Sequence, residues 1–401
     1  MARLIAFEDG GLDGLRPLLL LRTVFELRVG RKILLDRVAE AFGMSAAGVW
    51  TRPALAGVAP QRCAALVNQP AAAGDILVNG RWVCTEAVAV PPAPSAGWVG
   101  ATPAYVHCDD SLARQLSPAV MRDAGQLAGV LRAAPRVDAG GWMLNWPWEL
   151  IRRNAEMLER DFSEGEAAIE ADLPGGVIDG PGDRVHVGVD TRIHRSAVID
   201  ATGGPVYVGE RVRIGPCAVV EGPIYVGPGT IINPHAWLHG GNSIGPVCKI
   251  GGEVNGCIIH GYTNKVHAGF LGHSYVGSWV NLGAGTTNSN LKNTYGTVRV
   301  SMDGRSVDTG ERFFGALIGD HVKTGIQSTI PTGANLGAAA VIATSAIIPK
   351  EVKPLTWLTD AGAERGDIRR LLEIARTAMG RRDVVMTDAE QDLFQSLAQA
   401  Q

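Results

Sequence analysis

"VYVGERVRIGPCAVVEGPIYVGPGTIINPHAWLHGGNSIGPVCKI" spans residues 206–250, and its apolar spacing decides the fold. Every sixth residue from Val208 is aliphatic, giving Ile214, Val220, Val226, Ile232, Leu238, Ile244 and Ile250, often with Gly directly after. A second run in its own register gives Ile318, Ile330, Leu336, Ile342 and Ile348, with Thr324 the exception. Residues four places further on are often small, as Ala218, Thr230, Ala236 and Cys248 show. A helix requires spacings of 3 and 4 and a flat strand a spacing of 2, so neither accounts for a period of six. The period fits a parallel β-helix with three short faces per coil, the aliphatic residue pointing inward and the small residue turning the corner. Coils stack at strand spacing and none buries its aliphatic row alone. Between residues 185 and 355 the period predicts about eight coils.

The repeat is interrupted over 290–316. There "TVRVSMDGRSV" alternates around Asp303-Gly304, which predicts a β-hairpin projecting from the column toward a partner. After the repeat, "DIRRLLEIARTAMGRR" places Ile368, Leu371, Leu372 and Ala375 at helical spacing, an amphipathic helix able to cover the open end, and residues 387–401 continue as a second helix. The first 180 residues lack the period. "RLIAFED", "AALVN" and "DILVNGRWVC" read as strands, and "ELRVGRKILLDRVAEAF" and "PWELIRRNAEMLERDF" as helices, so a mixed α/β domain is expected. The polar, Gly- and Pro-rich stretch 163–184 is the expected junction. The expected domains are 1–180, 181–358 and a helical segment 359–401.

With 401 residues the chain is long enough for two cores. Its net charge of −3 gives no basic surplus for a nucleic-acid partner. The 51 glycines fall among many Val and Ile residues without a collagen period, which fits turn-rich β structure. The six cysteines form no C-x-x-C pair, and "LLLL" at 18–21 is closed by Arg22, so a cytoplasmic protein with free thiols and no membrane span is expected.

Two local motifs lose their usual meaning in this context. "GNSIG" at 241–245 fits the G-x-S-x-G nucleophile elbow, but Ile244 lies in the six-residue register and no helix follows. His235 and His239 have H-x-x-x-H spacing, yet in a strand they stand about 13 Å apart and read as surface polar residues, so no metal site is expected. No P-loop or EF-hand loop occurs. By spacing alone His267 is likewise a solvated or interfacial histidine.

The surroundings of His267 change that reading. "NKVHAGFLGHSYVGSWVNLGAGTTNSN" at 264–290 resembles the acetyltransferase segment of the GlmU-type family, which pairs glucosamine-1-phosphate acetyltransferase with N-acetylglucosamine-1-phosphate uridyltransferase. The likeness covers about 185–355 and implies a left-handed β-helix of hexapeptide repeats, usually trimeric with sites between adjacent prisms. It places His267 on the general base and Asn290 on an asparagine assisting the amine. It assigns acetyl-CoA to "LGAGT", residues Gly283, Ala284, Gly285 and Thr286, with Lys323 beside them. It sets Glu253, Asn255, Lys265, Phe270 and Arg299 around the acceptor, an amino-sugar phosphate. Asn255 stands where the family has a phosphate-gripping lysine and Phe270 where it has a tyrosine; Lys249, Lys265, Lys292 or Arg299 are the available compensating cations. The chemistry suits these residue types: an imidazole near neutral pKa accepts the amine proton, and backbone amides of a Gly-rich turn receive the thioester oxyanion.

"GGLDGLRPLLLLRTVFELRVG" resembles the opening of the sugar nucleotidyltransferases, a Rossmann-like α/β fold, with Gly10, Gly11, Arg16 and Arg22 at nucleotide-holding positions. The resemblance implies a nucleoside triphosphate and Mg2+ for that domain. Gly14 replaces the motif arginine, Val24 or Phe25 its lysine, and "LVNGRW" lacks a metal-binding aspartate. The function expected is nucleotide-sugar synthesis: N-acetylation at His267 with uridylyl transfer in the first domain. Two rivals stand beside it, a nucleotidyltransferase with the β-helix as trimerising scaffold and a non-catalytic sugar-nucleotide sensor.

Overall fold

The structure, a computed structural model, describes residues 2–63, 66–163, 166–169 and 176–399; the expected junction at 163–184 therefore lies partly outside the described residues. The chain forms two compact units. One comprises Met1–Arg28, Lys32–Pro147 and Thr387–Gln401, the other Val29–Arg31 and Trp148–Met386.

The first unit is built on β1 (Leu4–Phe7), β2 (Ala46–Trp50), β3 (Leu66–Val67), β4 (Ile76–Asn79), β5 (Ser95–Val99), β6 (Thr102–His107) and β7 (Arg136–Asp138). They form one seven-stranded sheet in the order β7-β5-β6-β4-β1-β2-β3. Strand β1 pairs in parallel with both β2 and β4, whereas β6 runs antiparallel to β4 and β5. All four β1 residues are buried, which is why "LIAF" reads as a continuous apolar run. The order of connection reverses beside β1, so the carboxyl ends of β1 and β4 form the switch point where such sheets hold ligands. The expected helix over 26–42 is shorter: α1 is Leu34–Ala41, burying Leu34, Leu35 and Val38. Residues Arg28–Val29 and Lys32–Ile33 instead pair as strands around Gly30 at φ +63°, a turn that glycine permits.

The second unit opens with α2, which runs from Pro147 to Asp161, and continues as the expected prism. Its first face is a six-stranded sheet that includes Trp237–Leu238, Glu253–Asn255 and Phe270–Gly272, its second a ten-stranded parallel sheet with nine strands in the span where the period predicts about eight coils, and its third the strands through Lys249–Ile250, Asn264–Lys265 and Lys323–Thr324. Every aliphatic rung of the sequence register is buried, from Val208 to Ile250 and from Ile318 to Ile348, at 0–3% exposure. Burial of each such side chain contributes roughly 1.5–3 kcal/mol relative to exposure, so stacking holds the prism together. Coil-to-coil bonds such as Gly209 N to Val226 O (2.8 Å) and Gly227 N to Ile244 O (2.7 Å) repeat up the column. Where a glycine follows a rung the spacing requires it: a Cβ on Gly215 or Gly245 would stand 2.7 Å from the backbone of the next coil.

The two sequence registers are separated because the coils shorten. After Ile250 the inward residues are Val254, Ile259, Lys265, Leu271, Val276 and Leu282, and the spacing is no longer a uniform six. Two inward positions are polar here. Lys265 pairs with Ile250 and Asn288 with Ile330, at 2% and 4% exposure.

The insertion contains the expected hairpin, β8 (Arg299–Met302) and β9 (Arg305–Asp308), joined by Asp303 and Gly304 with φ +51° and +75°. It does not project. Val298, Val300 and Phe314 are fully buried, Asn335 Nδ2 donates to Ser301 O (3.1 Å), and Ser301 Oγ donates to Glu351, so the arm lies on its own prism. Helix α3 (Ile368–Gly380) has the predicted buried stripe of Leu371, Leu372 and Ala375, capped by Asp367 accepting from Arg369 N (2.8 Å). It lies along the third face rather than over the open end: Arg382 just after it donates to Asn264 Oδ1 (2.6 Å). Helix α4 (Asp388–Gln399) belongs to the first unit, tied by Thr387 Oγ1 to Gln61 (2.8 Å) and by Glu390 to Arg62 (3.2 Å).

Candidate active site

The corner where the third face turns into the first stacks Gly251-Gly252, then His267–Gly269, then Gly283–Gly285, then Gly325–Gln327. Three contacts fix the stack: Gly285 N donates to Ala268 O (3.2 Å), Gln327 N to Ala284 O (2.6 Å) and Gly251 N to Lys265 O (2.7 Å). Glycine is required at two of these positions: a Cβ on Gly283 would meet Gly325 O at 2.2 Å, and one on Gly269, at φ +126°, would meet Thr286 O at 2.2 Å. His267 is exposed at this corner, and its ring has no hydrogen-bond partner among the described residues.

The other expected residues separate into two groups. Phe270 and Asn290 converge over Gly272, where a Cβ would meet Phe270 Cζ at 2.4 Å and Asn290 Nδ2 at 2.6 Å. The Asn290 amide donates to Nδ1 of His273 (2.9 Å), and burial lowers the pKa of that imidazole, which favours the neutral acceptor form. Glu253 and Asn255 lie on the first face, Glu253 paired in register with Phe270. In the Gly-rich turn the amides of Gly283 and Gly285 are already bonded, to Thr324 Oγ1 (3.0 Å) and Ala268 O. Ala284 N is left without a partner among the described residues.

The second group faces elsewhere. Thr286 is 3% exposed and its hydroxyl bonds Thr324 Oγ1 (2.9 Å) inside the prism. Lys265 points inward as well, its Nζ donating to Gly251 O (2.8 Å) and to the carbonyl of His267 itself (2.9 Å), and burial brings its pKa from 10.5 to about 8. Lys323 lies on the opposite half of the third face, donating to Trp279 O (2.5 Å) and His321 O (3.2 Å). Arg299 is closed on its own hairpin through Ser306 Oγ (2.9 Å), Ser306 O (2.7 Å) and Asp308. Lys292 donates to Thr297 O (2.9 Å). Lys265, Arg299 and Lys292 therefore do not compensate on the first face for the missing phosphate-gripping lysine, and Lys249 stands on the third face, in register with Asn264. That face carries carboxylates and rings: His239 is held between Glu221 (3.1 Å) and Glu253 (3.2 Å), with its ring 4.2 Å from that of Trp237.

His235 stands apart at a corner with φ +60°, and among the described residues no group of His, Cys, Asp or Glu is placed to hold a metal ion. Ser243 of the G-x-S-x-G stretch is buried, its hydroxyl on Gly30 O (2.7 Å) and Asn154 Oδ1 (3.0 Å), in a strand with no elbow.

In the first unit the switch point is closed by a buried network that sequence reading did not anticipate. Arg81 binds Asp9 with two 2.6 Å contacts and also reaches Leu144 O (2.8 Å) and Asn145 (2.9 Å), while Asn79 donates to Asp9 (2.8 Å). Gly11 N, an expected phosphate donor, bonds Asp9 Oδ1 (3.0 Å), and a Cβ on Gly11 would stand 2.3 Å from the Arg81 guanidinium. Burial by itself raises the Asp9 carboxyl, but Arg81, Asn79 and the Gly11 amide outweigh it and hold the pKa below the usual value. Arg22 is buried, whereas Arg16 is exposed beside Asp13 (3.4 Å). The other carboxylate at the end of β1, Glu8, accepts from Thr51 Oγ1 (2.8 Å) and Arg52 N (2.9 Å). These engaged carboxylates do not fit Mg2+.

One unit thus carries a mixed sheet with its switch point at the ends of β1 and β4, and the other a β-prism with the stacked His267 corner. Residues 4–167 match the family model described as sugar nucleotidyl transferase. The chain is similar to the bifunctional sugar-1-phosphate nucleotidylyltransferase/acetyltransferase of Sulfurisphaera tokodaii, 38% identical over 106 residues, 26% of each chain. It is also similar to the bifunctional protein GlmU of Methanococcus vannielii, 35% identical over 101 residues, 25% of this chain and 24% of that one. Each alignment thus spans about a quarter of the relative's own length. Among solved structures, a hexapeptide transferase family protein from Anaplasma phagocytophilum aligns at 16% identity over 51% of this chain and 92% of that one, with a TM-score of 0.22.

Proposed function

We propose that the second unit transfers an acetyl group from acetyl-CoA to the amine of an amino-sugar phosphate at the His267 corner. One observation carries the reading: the His267 imidazole and the Ala284 amide, both without a partner among the described residues, lie on adjacent stacked turns joined by the bond from Gly285 N to Ala268 O. In this reading His267 takes the amine proton as nitrogen attacks the thioester carbon. The Ala284 N–H receives the carbonyl oxygen as it becomes an oxyanion. Collapse breaks the C–S bond, and CoA leaves as a thiolate that takes up a proton. Asn290, fixed by His273, orients the amine, and Phe270 and Asn255 form the acceptor wall. Three copies of the prism, with sites between neighbours, complete the arrangement. We place the reaction in the cytoplasm, consistent with six free cysteines; among the described residues no helix is long and apolar enough to cross a membrane.

The experiment is release of free thiol from acetyl-CoA with a panel of amino-sugar phosphates. His267→Ala abolishes release while the oligomer survives on a sizing column; undiminished turnover in that variant removes the mechanism.

For the first unit a second reading has its own support. The family match favours nucleotidyl, specifically uridylyl, transfer to a sugar 1-phosphate, but closure of Asp9 on Arg81 and on the Gly11 amide removes the loop donor a triphosphate needs. That closure favours a unit that binds a sugar nucleotide without turning it over. Pyrophosphate release from UTP and a sugar 1-phosphate decides between the two.

A further inference from the structure

We propose that the cleft between helix α3 and the third face of the prism is a binding site for a phosphate group. The cleft encloses about 400 Å³, within the range of small-molecule sites, and its lining carries more cations than carboxylates. Lys323, Arg381 and Arg382 bring three cations to it, against the single carboxylate of Glu373 on the exposed side of α3.

These cations lack counter-charges. Among the described residues no carboxylate pairs with any of the three. Lys323 has only two backbone carbonyls, and burial takes its ammonium from 10.5 to about 8. Arg382 reaches a neutral partner, Asn264, through one nitrogen, and its Nε is buried with no partner. Asn264 in turn donates to Asn281 Oδ1 (3.3 Å), which leaves the Asn281 amide group as a further unused donor in the cleft.

Charge withdrawn from solvent is ordinarily paired, because desolvation otherwise opposes it; here that applies to the Lys323 ammonium and the Arg382 Nε, with Arg381 adding an exposed cation. The C-terminal end of α3 supplies roughly half a negative charge. With Glu373 this leaves the three cations uncompensated by more than one charge. A phosphate dianion supplies that charge and enough acceptor oxygens for the guanidinium groups, the ammonium and the Asn281 amide. The first face, bearing Glu221 and Glu253, offers no such partner.

The site stands without the acetyl-transfer reading; only its two candidate carriers, the phosphates of coenzyme A and of an amino-sugar phosphate, come from that reading. The test is calorimetric titration of the full chain with inorganic pyrophosphate, repeated with Arg381→Gln, Arg382→Gln and, as a control in the other unit, Arg16→Gln. Binding weakens by about tenfold or more in each of the first two variants and is unchanged in the third. Arg381 is exposed, so its variant folds even if loss of the Arg382 contact to Asn264 disturbs the helix. Displacement by adenosine 3′,5′-bisphosphate identifies coenzyme A as the carrier, and displacement by glucosamine 1-phosphate identifies the acceptor. Absence of pyrophosphate binding at millimolar concentration, or binding indifferent to both Arg381→Gln and Arg382→Gln, overturns the assignment. Persistence of binding in His267→Ala keeps this result separate from failure of the acetyl-transfer reading.

Discussion

Replacing Lys265 by methionine isolates a charge buried in an aliphatic row. The ammonium occupies the rung above Ile250, is 2% exposed, and donates to the carbonyls of Gly251 and His267. Burial is the largest influence on it, lowering its pKa from 10.5 to about 8. The sign follows from proton counting. Below pH 8 both folded and unfolded chains carry this proton, and the folded state bears the full penalty of the buried charge. Between pH 8 and about 10.4 the unfolded chain binds more protons, so stability rises with pH. At about 1.36 kcal/mol per pKa unit, wild type gains roughly 2–3 kcal/mol on Lys265→Met between pH 7 and pH 10. Urea unfolding of both proteins at the two pH values measures this gain as a double difference, which cancels the constant loss of two hydrogen bonds and the titration of every other group. A double difference below about 0.5 kcal/mol, the scatter expected of independent sites, refutes the claim that this ammonium is desolvated.

Two further outcomes test the site and the first unit. His273→Leu removes the acceptor that holds the Asn290 amide; kcat falls about 10- to 100-fold with KM for acetyl-CoA unchanged, and unaltered kcat in steady-state assays shows that Asn290 does not orient the amine. Arg81→Met leaves the Asp9 carboxylate buried without its cation and destabilises the first unit by roughly 3–5 kcal/mol in denaturant melts at pH 7. Because the folded pKa of Asp9 is depressed, the stability this pair provides is present above about pH 3.9 and disappears as pH falls through the folded value.

The prism was legible because its physics is periodic: each rung from Val208 to Ile250 must point inward at a fixed interval, and the glycines after several of them, such as Gly215 and Gly245, are dictated by coil spacing. Legibility fails where the interval changes. The short coils between Ile250 and Leu282 place Lys265 in a rung, so a residue that sequence treats as an acceptor-facing cation is turned onto the carbonyl of His267. Asn264, Asn281 and Lys323 share the third face, but a coil of altered length and the inserted hairpin lie between them in sequence. The cleft they line could not be read from spacing. The hairpin itself was plain from Asp303-Gly304, while its return to the prism depends on Asn335 and Glu351, which no local pattern connects to it. In the first unit the glycines of the opening motif are present, yet their role is decided by Arg81, seventy residues later, which no motif includes.

The distribution of charge around the prism bears on what the acceptor can be. An acceptor phosphate on the first face would meet Glu221 and Glu253, already sharing His239, and none of the candidate cations, since Lys265, Arg299 and Lys292 are held elsewhere and Lys249 stands on the third face. At about 4 Å and an effective dielectric near 20, each like-charge contact opposes binding by roughly 4 kcal/mol, more than the neutral amide of Asn255 can offset. A phosphorylated amino sugar therefore reaches His267 only with its phosphate directed off that face. If the acceptor's phosphate is what the α3 cleft holds, replacing Glu253 by Gln lowers the acceptor KM little; if instead the phosphate rests on the first face, the same change lowers KM markedly. The ratio of acceptor KM values with and without Glu253 thus reports which face carries the anion, independently of the rate of acetyl transfer.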